Sequence, residues 1–87
     1  LHFTRSMAAE YAQSGIRVNA LAPGPTDTTM VRNTGEEGAA SMARSTRLGR
    51  LAEADEMVGA VLYMASDASS FMTGQCVTVD GGIVPAR

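Results

Sequence analysis

The chain has 87 residues, enough for one small domain or a piece of a larger one, and its 45% hydrophobic and 18% charged content excludes a disordered chain. The formal net charge is −2 and the seven basic residues are all arginines scattered along the sequence, so no basic stripe for nucleic acid or anionic lipid is present. With one cysteine, Cys76, and one histidine, His2, neither an internal disulfide nor a zinc site of histidine and cysteine ligands can be assembled.

No apolar run approaches the roughly 20 residues that span a bilayer, and the start lacks the basic-then-apolar layout of a signal peptide. A soluble protein with no membrane partner is expected, and the single thiol suits a reduced, cytoplasmic setting. Leu1-His2-Phe3-Thr4-Arg5 opens without an initiator methionine and without a capping residue, which reads as the middle of a helix in a longer protein.

Phe3, Met7, Ala8 and Tyr11 recur at spacings of three and four, which predicts an amphipathic helix over residues 1–13. Gly15 follows the last periodic residue and supplies a left-handed helix end. Residues 16–22 come next, apolar on both faces of an alternating strand, as suits a parallel sheet covered by helices on each side. From Pro23 to Asn33 the composition turns to Pro, Gly, Thr and Asp, a loop of restricted turns. Thr34-Gly35-Glu36-Glu37 has the spacing of a capping box for a short helix reaching Ala43, although Gly35 and Gly38 oppose it. Residues 44–51 read as a mobile connection.

A further helix starts near Glu53, where Glu53, Asp55 and Glu56 put negative charge at the positive end of the helix dipole. Its expected buried stripe is Met57, Val58, Val61, Leu62 and Ala65, and Gly59 within it suggests close packing against a neighbouring backbone. A turn over residues 66–70 leads to Gly74, then to a second strand over 75–79 closed by Asp80-Gly81-Gly82. The order α, β, loop, α, α, β is that of an α/β protein. Two parallel strands cannot bury both their faces, so further strands are expected from elsewhere.

In open α/β sheets ligands sit beyond the carboxyl ends of the strands, where the stretch from Pro23 to Met30 lies. Pro23 and Pro25 fix two φ angles, Gly24 lets the backbone pass close to a flat ring, and Thr26 and Thr28 offer hydroxyls and backbone groups. From the residues alone, a plain turn that uses these types as caps stays open.

The order of short motifs adds a second line. Thr4-Arg5-Ser6-Met7-Ala8-Ala9-Glu10, Gly15-Ile16-Arg17-Val18-Asn19, Ala22-Pro23-Gly24 with Thr28 and Met30, Leu48-Gly49-Arg50, Ser66-Asp67-Ala68-Ser69, Thr73-Gly74-Gln75 and Val79-Asp80-Gly81-Gly82 resemble, in series, the C-terminal part of the short-chain dehydrogenase/reductase family. The resemblance covers nearly the whole chain. It implies the C-terminal portion of a Rossmann-like, doubly wound parallel sheet with flanking helices, residues 1–87 forming one segment of an NAD(P)-binding domain. It implies NAD or NADP as cofactor, with Pro23 and Gly24 turned against the nicotinamide face, Thr26 meeting the carboxamide largely through its backbone, and Thr28 bonding the carboxamide or pyrophosphate. Residues from about 29 to 48 would be a mobile lid over a small carbonyl or alcohol substrate. Asp80-Gly81-Gly82 would end the last strand, where the family makes subunit contacts, or is a plain strand stop. A homo-oligomer is expected.

The family's acid/base chemistry uses a tyrosine with a lysine four residues later, whose charge lowers the phenol pKa. This chain has no lysine; Tyr11 is followed at that spacing by Gly15 and Tyr63 by Asp67, so both read as packing residues and no catalytic residue is assigned. The glycine-rich pyrophosphate loop is also absent. Serine nucleophiles lack a base other than His2, read as a solvated helix residue. The pairs Glu36-Glu37 and Asp55-Glu56 read as helix-start charge, and Cys76 as a small buried apolar residue. Arg44, Arg47 and Arg50 either reach a phosphate or acidic substrate or form a solvated face. The expected function is part of an oxidoreductase that moves hydride between nicotinamide and a carbonyl or hydroxyl carbon, inactive as 87 residues alone. The rival expectation is a truncated, non-catalytic binding or assembly module.

Overall fold

Gly15 ends the first helix in the conformation its position predicts. The structure, a computed structural model, describes residues 1–83, so positions 84–87 of the expected 1–87 segment lie outside the described residues. Helix α1 spans His2–Tyr11 and tightens into a 3-10 turn over Ala12–Ser14. Gly15 sits at φ 77°, its N–H donates to Ala12 O at 3.0 Å, and the Ile16 N–H donates to Tyr11 O at 3.2 Å. These bonds satisfy carbonyls that a helix end otherwise leaves orphaned.

The first strand is shorter than its pattern. Strand β1 is Ala20–Pro23 and pairs in parallel with β2, Cys76–Val79, in the register Ala20 to Cys76 through Pro23 to Val79. Residues 16–19 are bonded, but mostly by side chains. The Val18 N–H donates to Thr73 Oγ1 at 3.0 Å, while the Asn19 amide donates to Met72 O and accepts from the Gln75 N–H, both at 3.0 Å. Opposite them the chain turns at Gly74, whose φ of 74° has no place in a strand, so no ladder extends there.

Helix α2, Thr29–Arg32, occupies part of the expected loop, and α3 spans Gly35–Arg44. The expected capping box at Thr34 is not formed. Its hydroxyl donates to Val31 O at 2.6 Å and closes α2 instead. Residues 45–50, expected to be a loose connection, wind around Thr46, which is 6% exposed. Its oxygen accepts from the Gly49 and Arg50 N–H groups, and its hydroxyl has Ala43 O at 2.9 Å as acceptor.

Helix α4, Ala54–Ala65, starts on a capping box in which the Glu53 carboxylate accepts from the Glu56 N–H and the Glu56 carboxylate accepts from the Glu53 N–H at 2.8 Å. Its other end is held by Arg17, whose guanidinium donates to Met64 O, Ser66 O, Met72 O and Ser69 Oγ at 3.0–3.2 Å. A cation among terminal carbonyls complements the helix dipole. A 3-10 turn at Asp67–Ser69 then leads toward β2.

The expected buried stripe of α4 is largely open: Val58, Val61 and Leu62 are 49–62% exposed, and nothing lies within 4 Å of the site where Gly59 would carry a Cβ. The close packing expected at Gly59 is not found among the described residues. Cys76 is exposed rather than buried, because it shares the open face of β2 with Thr78. Among the described residues the only buried apolar side chains are Ala8 and Ala39. The accessible surface is 6157 Å², against about 4,900 Å² for a compact protein of this mass. The radius of gyration is 15.4 Å, against about 12 Å for a compact domain of this length. Two strands leave the apolar sides of α1 and α4 without cover. Among the described residues no helix is long and apolar enough to cross a membrane.

Candidate functional site

The two parallel strands end side by side, and their exits form the candidate site. The Gly24 N–H donates to Val79 O at 2.8 Å, carrying the ladder one residue past Pro23. A Cβ at Gly24 would stand 2.6 Å from Asp80 Cα and 2.9 Å from Asp80 O, so the glycine is required by the neighbouring strand's backbone. Beyond it, the Ala52 N–H donates to Pro25 O at 3.0 Å and the Asp27 N–H donates to Ala52 O at 2.8 Å, an isolated parallel bridge that adds residue 52 beside the exit. That bridge uses Pro25 and Asp27 and leaves out the N–H and C=O of Thr26 itself.

The hydroxyls of the two threonines are half committed. Thr26 Oγ1 donates to Gly24 O at 3.1 Å, which leaves it acceptor capacity. Thr28 Oγ1 caps α2 by accepting from the Val31 N–H at 3.3 Å, which leaves its proton to donate.

A cleft of about 80 Å³ opens at the strand ends between Gly24, Pro25, Leu48, Met57, Val79 and Gly81. Its far wall is the Thr46 turn, docked by the Leu48 N–H on Gly81 O at 3.1 Å. Of the four residues expected to bind cofactor, Gly24 lines this cleft and Pro23 precedes it, while Thr26 and Thr28 follow outside its lining. At that size it is a wall of a site rather than a whole one, since small-molecule pockets run to roughly 300–1,000 Å³. A second, open groove of about 510 Å³ separates the alanines of α3 (Ala39, Ala43) from residues 49–53.

Sequence reasoning missed the ion pairs around these openings. Asp27 accepts two bonds from Arg32, at 2.6 and 2.8 Å, and Glu56 accepts two from Arg50, at 2.8 and 2.9 Å. Their spacings of five and six residues fall outside the helical three-and-four pattern and form only because the chain turns between them. The bonded Arg32 guanidinium holds the Asp27 carboxyl below the usual carboxylate range, and Asp27 raises Arg32 in return. Glu56 is drawn down to about 2, first by the bonds from Arg50 and then by the Glu53 N–H. These groups stay ionised at neutral pH, so their work is positional. Of the arginines weighed for anion binding, Arg50 is thus occupied, Arg44 pairs with Glu37 at 3.3 Å on an exposed surface, and the stem of Arg47 packs against Gly82. Among the described residues no group of three or more His, Cys, Asp or Glu side chains could hold a metal ion.

Known proteins are similar to this chain in sequence and fold. The family profile described as Enoyl-(Acyl carrier protein) reductase matches residues 1–84. The cis-4-hydroxycyclohexanecarboxylate dehydrogenase of Sinomonas cyclohexanicum is 48% identical over 81 residues, covering 93% of this chain and 32% of its own. A 3-oxoacyl-[acyl-carrier-protein] reductase of Thermotoga maritima is 40% identical over 81 residues, with coverage of 93% and 33%. In three dimensions, the crystal structure of 3-oxoacyl-[acyl-carrier protein] reductase from Brucella melitensis superposes with a TM-score of 0.90 at 41% identity, covering 98% of this chain and 32% of that one. The chain spans about a third of the length of these relatives. The α/β, Rossmann-like fold of these structures is the fold of the described residues.

Proposed function

This chain belongs to the short-chain dehydrogenase/reductase family, and on that premise we propose that it is the C-terminal third of an NAD(P)-dependent oxidoreductase acting on a small carbonyl or alcohol. One observation carries the reading: two parallel strands deliver Pro23-Gly24 and Asp80-Gly81 together to the carboxyl edge of the sheet, where open α/β folds take their ligands.

The residues fit a nicotinamide carboxamide, a group with one acceptor oxygen and one donor nitrogen. Thr26 has acceptor capacity left on its hydroxyl and a backbone N–H and C=O outside the Ala52 bridge, and Thr28 has a proton to donate. Bound nicotinamide supplies the hydride chemistry. The chain's part is to hold the ring's amide and close one side of the pocket with Pro23 and Gly24. Residues from about 29 to 48 serve as the lid, and the proton-transfer groups belong to the remainder of the domain. The scattered arginines support a partner list without nucleic acid or membrane, and the exposed Cys76 thiol supports a reduced, cytoplasmic setting.

A second reading, a non-catalytic assembly module, is favoured by the open apolar surface, on which Phe3 is 73% and Phe71 fully exposed. The same surface supports homo-oligomer formation. The full-length protein carrying these residues decides between them. The enzyme reading expects NAD(H) or NADP(H) binding and reduction of members of a ketone panel. It further expects Thr26→Val combined with Thr28→Val to raise the cofactor Kd by about tenfold or more, as loss of two ligand hydrogen bonds implies. Absence of cofactor binding in the wild-type protein would leave the assembly reading.

A further inference from the structure

Helices α2 and α3 form a flap with two fastenings. They pack against each other, and among the described residues the hydrogen bonds that leave them run to their own flanks. At the rear the fastening is the buried Thr46 turn, which receives the end of α3 through Ala43 O. At the front it is Thr28, through one backbone bond and the long 3.3 Å cap, together with the two bonds between Arg32 and Asp27. Between flap and body lies an open groove lined by Ala40 and Ala43, with Ala39 buried beside it, so packing holds the flap only in part.

Asp27 is the fixed end of the front fastening. Its N–H is bonded to Ala52 O, residue 51 is held by Arg50 through its carbonyl, and Arg50 is clamped to Glu56 at the start of α4. A continuous rail thus runs from α4 to Asp27, and Arg32 is the movable part that grips it. Lysine could supply the charge, whereas only the planar guanidinium fork makes two parallel bonds to one carboxylate. Glu36 and Glu53 line the same groove, so a charge released from Asp27 still has carboxylates near it.

From this arrangement we propose that Arg32 is a positioning residue whose forked grip on Asp27 sets the resting angle of the α2–α3 flap over the groove that residues 49–53 floor, and thereby the passage of substrate and product. It rests on the oxidoreductase reading for its kinetic consequence, and on geometry alone for the flap.

Two measurements on the full-length protein test it, each with Arg32→Lys and Asp27→Asn. Hydrogen exchange is expected to quicken across residues 29–44 by about two- to fivefold, the range an exposed ion pair supports, with residues 54–65 unchanged. Steady-state kinetics are expected to show KM shifted by a similar factor, Arg32→Lys behaving like Arg32→Gln, and a changed dependence of kcat on solvent viscosity. Exchange unaltered in residues 29–44, or raised equally in 54–65, overturns the clasp. A rise in residues 29–44 with KM and viscosity dependence unmoved in an active enzyme overturns its kinetic role. If the wild-type protein turns over no carbonyl, the oxidoreductase reading fails and that role with it, while the exchange result still decides whether Arg32 sets the flap.

Discussion

A methyl group at Gly24 would collide with the Asp80 backbone, and backbone in a paired strand cannot step aside as a flexible side chain can. Gly24→Ala is therefore expected to destabilise the fold by about 1–3 kcal/mol, as overpacking does, read as a lower denaturant midpoint with unchanged slope. The sequence marked Gly24 as a close approach to a ligand ring, and the Asp80 backbone is a second group that requires the glycine. Nothing in the local pattern of residues 20–24 announces which strand lies alongside. Cys76 teaches the same lesson, since its apolar type suggested burial and only the register of β2 shows which face it occupies. Asp27 and Arg32 escaped notice because their pairing depends on the angle between a loop and a four-residue helix.

At the scale of elements, α1 and α4 were legible because their apolar spacing is local and Gly15 stops α1 where it should, whereas α2 fell within the expected loop. Strand length was not, because residues 16–19 have strand-like composition opposite a turn. The start of α4 carries a pH dependence. Glu56 has an ordinary value of 4.5 when unfolded and about 2 when folded, so between these values the unfolded chain binds the proton more readily. The stability it contributes is complete above about pH 4.5 and fades as pH falls toward 2. Denaturant midpoints measured from pH 2 to 7 should fall less steeply on acidification in Glu56→Gln. Because this pair is exposed, the difference should shrink in about 1 M salt. In α3, a Cβ at Gly38 would meet the Thr34 side chain, which offsets the usual gain of alanine in a helix. A double-mutant cycle is expected to show Gly38→Ala more favourable by about 0.5–1 kcal/mol in a Thr34→Ala background than in the wild type.

For the whole molecule, α/β architecture was readable from the helix-glycine-strand joint, and the insufficiency of two strands from the apolar density of residues 16–22. What covers α4 was not readable, since Val58, Val61 and Leu62 indicate an apolar neighbour without identifying it. The accessible surface exceeds that of a compact protein of equal mass by about 1,300 Å². The 87-residue chain by itself is accordingly expected to bind a hydrophobic dye, to melt without a sharp transition, and to show no carbonyl reduction. A cooperative melt with turnover from that chain would contradict both the missing cover and the missing proton-transfer groups.

The stitching of residues 17–19 to residues 64–75 has a consequence for synthesis. Arg17 and Asn19 find their partners 47 to 56 positions later, so they emerge from the ribosome well before these partners. Loop closure of that span must precede any reward from the contacts. During translation the side of Ala20 to Pro23 that meets β2 is unpaired, and open to mispairing with neighbouring nascent chains, until residues 76–79 arrive.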